Sequence, residues 1–451
     1  MSKKTVEQIK MIIIVVLFLA TILLLYLIWG GSKEVKAADL IPSFGKDNED
    51  THLWSVVEPE KVYYSAGNGS FRCVTDSYYS YYNVMESFRN LSDNSTVMAT
   101  EIARDQYEEA LRNHPSIVCV FSYEFPFADL CAELGIGGSS AYAGIGNITE
   151  ICLSSIAQDS LLVANYSSGK CYRLVSDSMS VEFKEPLNYR PDYFCYDVSS
   201  VLGAGGSGLF PLLTQTQMAN SAYRSEGFFE AGESIEIARV VFGDSFDFVR
   251  RISDGFGNYT FMYGFGQKTL TLGKDGSVEY KTEAGSGNSQ GFFGDLKVAE
   301  NYFYNVLGHY ITLNKTSASL KLKDVKQTGS GKTASYTFCF AMHFPPYDIC
   351  GSEKYALEIK VEKGQVSWLK STVVPVDIKY DPTLPHDVFD AANVLAANAP
   401  SSEAFISMAE NYRSMEEVFF MKDGELIPAW RLTLSDGSVY YFDIITGEAL
   451  N

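Results

Sequence analysis

The sequence predicts an α+β protein in which a single N-terminal transmembrane helix is followed by a multidomain ectodomain of mainly antiparallel sheets with packed helices. Three observations carry this prediction. One apolar run near the N-terminus has the length of a membrane span, and no comparable run follows in the remaining four hundred or so residues. That remainder alternates short β-branched and aromatic runs with helical periodicities and with Asp-Gly or Gly/Ser-rich turns.

The apolar run is Met11 to Trp29, MIIIVVLFLATILLLYLIW, with only Thr21 and the Tyr26 hydroxyl polar. At about 1.5 Å per residue its helix nearly crosses a hydrocarbon layer of roughly 30 Å. Ala20-Thr21 is its only small pair and it has no G-x-x-x-G, so close helix packing is weakly signalled. Lys3, Lys4 and Lys10 against Glu7 mark the short flank as cytoplasmic, although Lys33 and Lys36 reduce the contrast. The expected topology is a cytoplasmic tail over 1–10, a span over 11–29 and a juxtamembrane linker over 30–55. The C-terminal ectodomain is expected to be extracellular and the protein to sit in the cell membrane as a single-pass chain. A cleaved signal peptide with Val35-Lys36-Ala37 at its end is the rival, but the run exceeds the roughly 7 to 15 residues of a signal h-region.

The chain has 451 residues, 46% apolar and 14% aromatic, ample for two or three buried cores. Residues 1–36 hold five Lys/Arg and two Asp/Glu, which leaves 31 basic and 53 acidic residues beyond them, a balance of −22. That balance argues against nucleic acid as a partner, because counterion release needs clustered Lys/Arg. All eight cysteines follow the apolar run. Up to four disulfides and a set of buried free thiols are both open readings, and the absence of C-x-x-C gives no zinc knuckle or redox pair.

From Val56 the elements follow in order. Tyr78, Tyr82, Met85, Phe88 and Leu91 recur at helical spacing, so a core-packed helix is expected there, with a second over Glu101–Arg112. Ser116–Phe125 reads as a strand, with further strands at 149–157, 160–166 and 171–176. The loosest stretch, GAGGSG over Gly203–Gly208, separates an N-terminal ectodomain (56–202) from a middle module (203–296). That module is expected to contain a helix over Glu230–Phe242 and strands at Phe246–Ile252, Tyr259–Tyr263, Lys268–Leu272 and Val278–Tyr280. The C-terminal module (297–451) opens on a helix over Val298–Leu307. Strands follow at 318–325, 334–343, 355–362 and 365–377, then helices near 386–397 and 402–411, then a meander from 416. Leu270–Tyr280 and Leu432–Tyr441 echo one another as Asp-Gly hairpins, by chance or as two related α+β modules.

Motifs that imitate chemistry lack their context. Gly203, Gly205 and Gly208 fit G-x-G-x-x-G without a surrounding βαβ unit, and Thr328–Thr333 imitates a P-loop but has Lys326 in place of the first glycine. Ser167-x-x-Lys170, Ser367-x-x-Lys370 and Ser92-Asp93-Asn94 match pieces of a penicillin-binding signature that lacks K-T-G. His52, His114, His309, His343 and His386 are scattered, and His343 at a strand end reads as structural. Catalytic, cofactor and metal sites are therefore expected to be absent, and the chain is not expected to be an enzyme.

Val240–Arg250, Asp254-Gly255, Leu270–Tyr280, Leu357–Val361 and Ala429–Gly437 together resemble segments of the YycH family, with its relative YycI. Val240-Val-Phe-Gly-Asp-Ser-Phe-Asp-Phe-Val-Arg250 is similar to the family's stretch ending in Val-Arg or Val-Lys. Asp254-Gly255, Tyr259-Thr260 and Leu270 through Tyr280 resemble its following meander. Ser335–Phe338, Leu357–Val361 and Val366–Trp368 look like strands of its last domain, and Ala429–Gly437 with Thr446–Glu448 like its closing hairpin. The eight cysteines and the segment Phe344–Cys350 depart from the family pattern.

The resemblance implies an extracytoplasmic, membrane-anchored regulator of a two-component sensor histidine kinase that controls cell-wall metabolism. It implies action by protein contact, with a WalK-like kinase and a YycI-like companion as partners and the span itself as a contact. Such a regulator needs only to bind one kinase conformation better than another. The alternative is an exported binding module for a cell-wall-derived ligand.

Overall fold

The computed structural model describes residues 57–450 apart from 75–76, 90–96, 137–141, 143, 156–159, 166, 177–192, 204–208, 217, 225–228, 309–317, 345, 378–385 and 400. The expected span Met11–Trp29, with Ala20 and Thr21, lies outside them. Among the described residues no helix is long and apolar enough to cross a membrane.

The first sheet is built from β1 (Lys61–Ala66), β2 (Phe71–Cys73), β3 (Val97–Ile102), β4 (Pro115–Pro126), β5 (Asn147–Ser154), β6 (Ser160–Ala164), β7 (Cys171–Ser176), β8 (Tyr193–Asp197) and β9 (Leu209–Leu212). Between them run α1 (Ser77–Arg89), α2 (Arg104–Arg112), α3 (Phe127–Glu133) and α4 (Val198–Leu202). The strand order is β3-β7-β6-β5-β4-β1-β2-β8-β9, every neighbouring pair antiparallel. Alternation gives the sheet two apolar faces. Tyr107 and Ala110 of α2 cover the face of Val118, Cys152, Leu162 and Cys171. On α1, Tyr81 packs edge-on against Phe121, which belongs to the other face. The expected helix over Glu101–Arg112 begins only at Arg104, because Glu101 and Ile102 are drawn into pairing with Tyr172 and Cys171.

The rest of the chain forms β10 (Gln215–Thr216), β11 (Ser221–Tyr223), β12 (Arg250–Ser253), β13 (Tyr259–Tyr263), β14 (Lys268–Leu272) and β15 (Val278–Thr282). After them come β16 (Ser319–Thr328), β17 (Ser335–Phe344), β18 (Tyr347–Cys350), β19 (Leu357–Glu362), β20 (Gln365–Ser371), β21 (Val376–Asp377) and β22 (His386–Asp387). The last strands are β23 (Tyr412–Lys422), β24 (Glu425–Leu434) and β25 (Val439–Asp443). Four further helices are α5 (Ala231–Phe242), α6 (Phe292–Tyr302), α7 (Ala391–Asn398) and α8 (Ser402–Glu410).

Fourteen of these strands share one sheet, ordered β12-β13-β14-β15-β20-β19-β17-β18-β23-β24-β11-β21, with β16 on β17 and β25 on β24. Pairing of β15 with β20 joins residues 278–281 directly to 368–371. Among the described residues the single parallel step in this sheet is β18 on β23. Trp430 and Leu432 of β24 form a core with Val394 and Leu395 of α7, and α6 lies on β17, β19 and β20. The fold is thus α+β with two large, mostly antiparallel sheets.

Both echoed hairpins form. Gly276 (φ 88°) and Gly437 (φ 86°) occupy the same left-handed turn position, where a side chain would be strained. Three expected boundaries move. The run Phe246–Ile252 is a 3₁₀ turn through Phe248 before β12, closed by the Val249 N–H on the Phe246 carbonyl. The helix expected from Val298 starts six residues earlier at Phe292, and residues 303–308 continue it as a π turn. The helix expected from 386 starts at Ala391, where the Asp390 carboxylate accepts from the Ala392 and Asn393 N–H groups.

All eight cysteines are buried free thiols. Burial raises the thiol pKa at each of those with a resolved shift, as at Cys119, Cys131 and Cys339.

Candidate functional site: a charged cleft between the two sheets

Both sheets belong to one compact unit, Val56–Asn451. They meet through an aromatic half and an ionic half. On β4, Phe121, Tyr123 and Phe125 point to one side. Phe292 at the start of α6 stacks on Tyr123 and contacts Phe125, Tyr336 and Phe338, with centroids 5.7–6.4 Å apart. Polar contacts fix the approach. Asp129 of α3 accepts from the Phe292 N–H at 2.8 Å, Lys297 meets Glu133 at 2.6 Å, and the Ser122 hydroxyl donates to the Lys323 carbonyl at 2.7 Å.

The ionic half begins at Glu60 and Lys61, where the Glu60 N–H is tied to the Val120 carbonyl at 2.7 Å. Opposite them, strand register puts Lys321, Lys323, Ala341, His343, Asp348, Cys350, Glu416, Arg431 and Tyr441 on one face of the second sheet. Arg431 contacts Glu416 at 2.5 Å, Glu60 at 2.9 Å and Asp348 at 3.1 Å. Lys323 meets Asp348 at 2.5 Å and also pairs with Glu60, Lys61 meets Glu416 at 3.2 Å, and His343 Nδ1 meets Asp348 at 3.0 Å.

Three carboxylates therefore face three cations in a neutral cluster whose side chains are 5–16% exposed. Burial alone would raise the carboxyl pKa values, yet Lys323, His343 and Arg431 hold Asp348 well below the usual range, and Arg431, Lys61 and Lys323 do the same for Glu416. Arg431 is correspondingly raised, its desolvation outweighed by Glu416, Cys350, Asp348 and Glu60. Lys321 differs. It is buried, has no carboxylate within 4 Å among the described residues, and is lowered by desolvation and by Lys323. His343 is lowered by burial and by Lys321, so it is neutral near pH 7.

Beside the cluster opens a cleft of about 1140 Å³. Tyr63, Phe71, Arg112 and Asp197 line its first-sheet side, Tyr355, Met415, Thr433 and Tyr441 the other, and Glu60, Lys323, Glu416 and Arg431 lie between. Arg112 and Asp197 form a forked pair at 2.6 and 2.9 Å. Tyr123 also lines the cleft, its buried hydroxyl without a hydrogen-bond partner among the described residues. This volume exceeds the roughly 300–1,000 Å³ of ordinary small-molecule pockets. The arrangement can hold an extended polar chain or a protein segment with apolar and charged contacts alternating. His343–Asp348 has the form of an oriented base, but both side chains are buried and His343 is not on the cleft wall. Among the described residues no group of three or more His, Cys, Asp or Glu is placed to hold a metal ion.

Among the described residues the sequence motifs that resemble catalytic signatures do not converge; Ser92-Asp93-Asn94, Gly205 and Gly208 lie outside them. Gly203 is the left-handed end of α4, Thr328–Thr333 joins β16 to β17, and Ser367 is buried while Lys370 pairs with Glu353 at the surface. Sequence reasoning missed the cluster altogether, because Glu60 and Arg431 lie 371 positions apart. Its one local signal was Leu-Lys-Leu-Lys at 320–323, which reads as an edge with one wet face.

No protein-family model matches the chain, and no curated protein matches it either. An uncharacterized protein from Eubacterium rectale superposes with a TM-score of 0.32 at 11% identity, over 55% of this chain and 88% of that one, which carries no argument. The chain is similar to the crystal structure of YycH from Bacillus subtilis, with a TM-score of 0.54 and 11% identity over 88% of this chain and 98% of that one. At that identity the likeness shows the fold alone, and the resemblance expected from the sequence holds at the level of the fold.

Proposed function

We propose that this protein is a membrane-anchored regulator of a two-component sensor histidine kinase that acts by protein contact and without catalysis. The likeness of fold to YycH across nearly the whole of both chains carries the reading, by analogy of fold. The sequence resemblance adds a WalK-like kinase and a YycI-like companion as partners, and the apolar run Met11–Trp29 supplies the anchor, with the N-terminus cytoplasmic. The regulator biases the kinase by binding one of its conformations more tightly. Crosslinking of the full chain in native membranes, followed by detergent purification, is expected to recover a sensor kinase. Replacement of residues 11–29 by an unrelated span is expected to lower that recovery at least several-fold. Recovery of no kinase from crosslinked membranes refutes the proposal.

The cleft favours a second reading, an exported module that binds a cell-wall-derived ligand. Its volume, its mixed walls and the unpartnered Tyr123 hydroxyl suit an extended polar ligand. A rise in melting temperature with soluble muropeptides, abolished by Tyr123→Phe combined with Arg112→Ala, supports this reading. No shift at millimolar ligand removes it.

A further inference from the structure

The most exposed large apolar side chains among the described residues form a second feature, outside the lining of the cleft. Phe248, Phe256 and Phe265 are 78%, 79% and 108% exposed, and Ile252 is 42% exposed. Phe248, Ile252 and Phe256 belong to β12 or its flanking turns and Phe265 to the turn between β13 and β14; among the described residues β12 is the terminal strand of the large sheet, paired on one side only, with β13. Arg250 pairs with Met262, so the start of β12, which Phe248 precedes by two residues as the last residue of the 3₁₀ turn, lies at the same end as the β13–β14 turn that carries Phe265. Phe256 lies in the β12–β13 turn at the other end. Phe265 sits at φ 57°, a left-handed conformation that strains a bulky residue. Backbone strain is thus spent on holding a fully exposed ring in water. β12 is short and carries Arg250 and Arg251, which discourage indiscriminate strand pairing, so a partner at this edge must match its charges.

We infer that a second copy of this chain occupies this edge, its β12 antiparallel to the first across a two-fold axis at Ile252, giving one sheet continuous through both copies. Three arguments fix the occupant and the register. Antiparallel partners must both point their backbone groups in the same sense, so a two-fold pairing of β12 with itself is centred on a residue rather than between two. Centring on Arg251 sets Arg251 against its own copy, and centring on Ser253 sets Ile252 against Asp254. Centring on Ile252 sets Ile252 against Ile252 and Arg250 against Asp254, both exposed in the single chain. The same centring brings Phe256 of each copy to the end where Phe248 and Phe265 of the other stand.

Charge agrees with this. The chain carries −19, which opposes association at most surfaces, but this edge pairs opposite charges with itself. Asp254 is ionised and oriented, its carboxyl lowered by the Asn258 amide and by the Phe256 N–H. Arg251 is held over the rings of Tyr259 and Phe261, at 4.9 and 6.0 Å, and faces Ser253 of the other copy. Six phenylalanines at about 150–200 Å² each give roughly 1,000 Å² before any other residue is counted, enough to reach the lower range of specific interfaces, about 1,200 Å² in total.

The test uses full-length protein in detergent and in membranes, with Ile252→Cys as the probe. Residues opposite themselves across an antiparallel pair have Cα atoms about 4.5–5.5 Å apart, within disulfide range. Mild oxidation is expected to convert most of the Ile252→Cys protein to a covalent dimer. Wild type, whose eight thiols are buried, is expected to remain uncrosslinked, as is Met98→Cys at the exposed edge of the other sheet. Phe248→Asp with Phe256→Asp is expected to raise the dimer dissociation constant at least tenfold by light scattering, with an unchanged melting transition. A wild-type monomer at 50 μM (roughly the concentration at which a weak specific interface is occupied), or crosslinking of Ile252→Cys no faster than Met98→Cys, overturns the inference. Crosslinking of that cysteine to a different protein in membranes, in place of itself, overturns it as well.

Discussion

Replacing Glu300 with Gln removes a charge from helix α6 without changing its shape. The Glu300 side chain is 8% exposed, its Oε1 has no hydrogen-bond partner among the described residues, and the nearby Lys297 is committed to Glu133. Burial therefore raises the carboxyl from its ordinary 4.5 to about 7, with Lys297 offsetting only part of it. An acid raised by folding leaves its stabilising contribution intact below the unfolded value, and that contribution is lost as pH rises through the folded value. At 1.36 kcal/mol per pH unit between 4.5 and about 7, the loss amounts to about 3 kcal/mol by pH 8 and to about 1 kcal/mol at pH 5. Glu300→Gln should consequently be more stable than wild type by those two amounts. Urea unfolding of residues 56–451, followed by tryptophan fluorescence at pH 5, 6.5 and 8, measures the difference directly. Equal differences at pH 5 and pH 8, or a less stable variant at pH 8, would refute the account of Glu300 as a carboxyl ionised against burial.

Other perturbations test the junction between the sheets. Arg431→Met leaves Glu60, Asp348 and Glu416 short of their shared cation and should cost about 3–5 kcal/mol in the same unfolding measurement. Asp348 and Glu416 are lowered by folding, so the stability they contribute is present above the unfolded carboxylate range and is lost as pH falls below about 4. The unfolding free energy of Glu416→Gln should accordingly fall less steeply with acid than that of wild type. Asp129→Ala removes the cap on α6 and should cost about 1 kcal/mol, read as faster hydrogen exchange at the amides of 292–295.

Much of the scaffold was legible because its signals are local. Asp254-Gly255 and Asp275-Gly276 mark turns between β-branched runs, and the strands they separate pair in simple antiparallel succession. What depended on distant partners was not legible. Phe292 starts α6 because Asp129, 163 residues earlier, accepts its N–H, while the Gly and Ser residues just before it carry no local helix signal. Phe248 looked like the interior of a strand, and only the 3₁₀ turn turns it outward. The twice-repeated Gly-Phe-Gly at 255–257 and 264–266 was the available sign that aromatic rings are displayed on turns. The alternation of Leu320, Lys321, Leu322 and Lys323 reveals that two faces differ, not what covers them.

Strand β24 has an implication for how the molecule is assembled. Its odd and even positions serve two interiors, with Trp430 in the core beneath α7 and Arg431 in the ionic cluster, and it is hydrogen-bonded to β23, β25 and β11. A chain made from its N-terminus completes the first sheet more than two hundred residues before this strand exists. Until it does, Glu60, Asp348 and Glu416 lack their largest counter-charge, and bringing the sheets together would bury net negative charge. Docking of the two sheets is thereby deferred to the end of synthesis, and a chain truncated before residue 425 should hold them apart, with the aromatic half of the junction open to proteases.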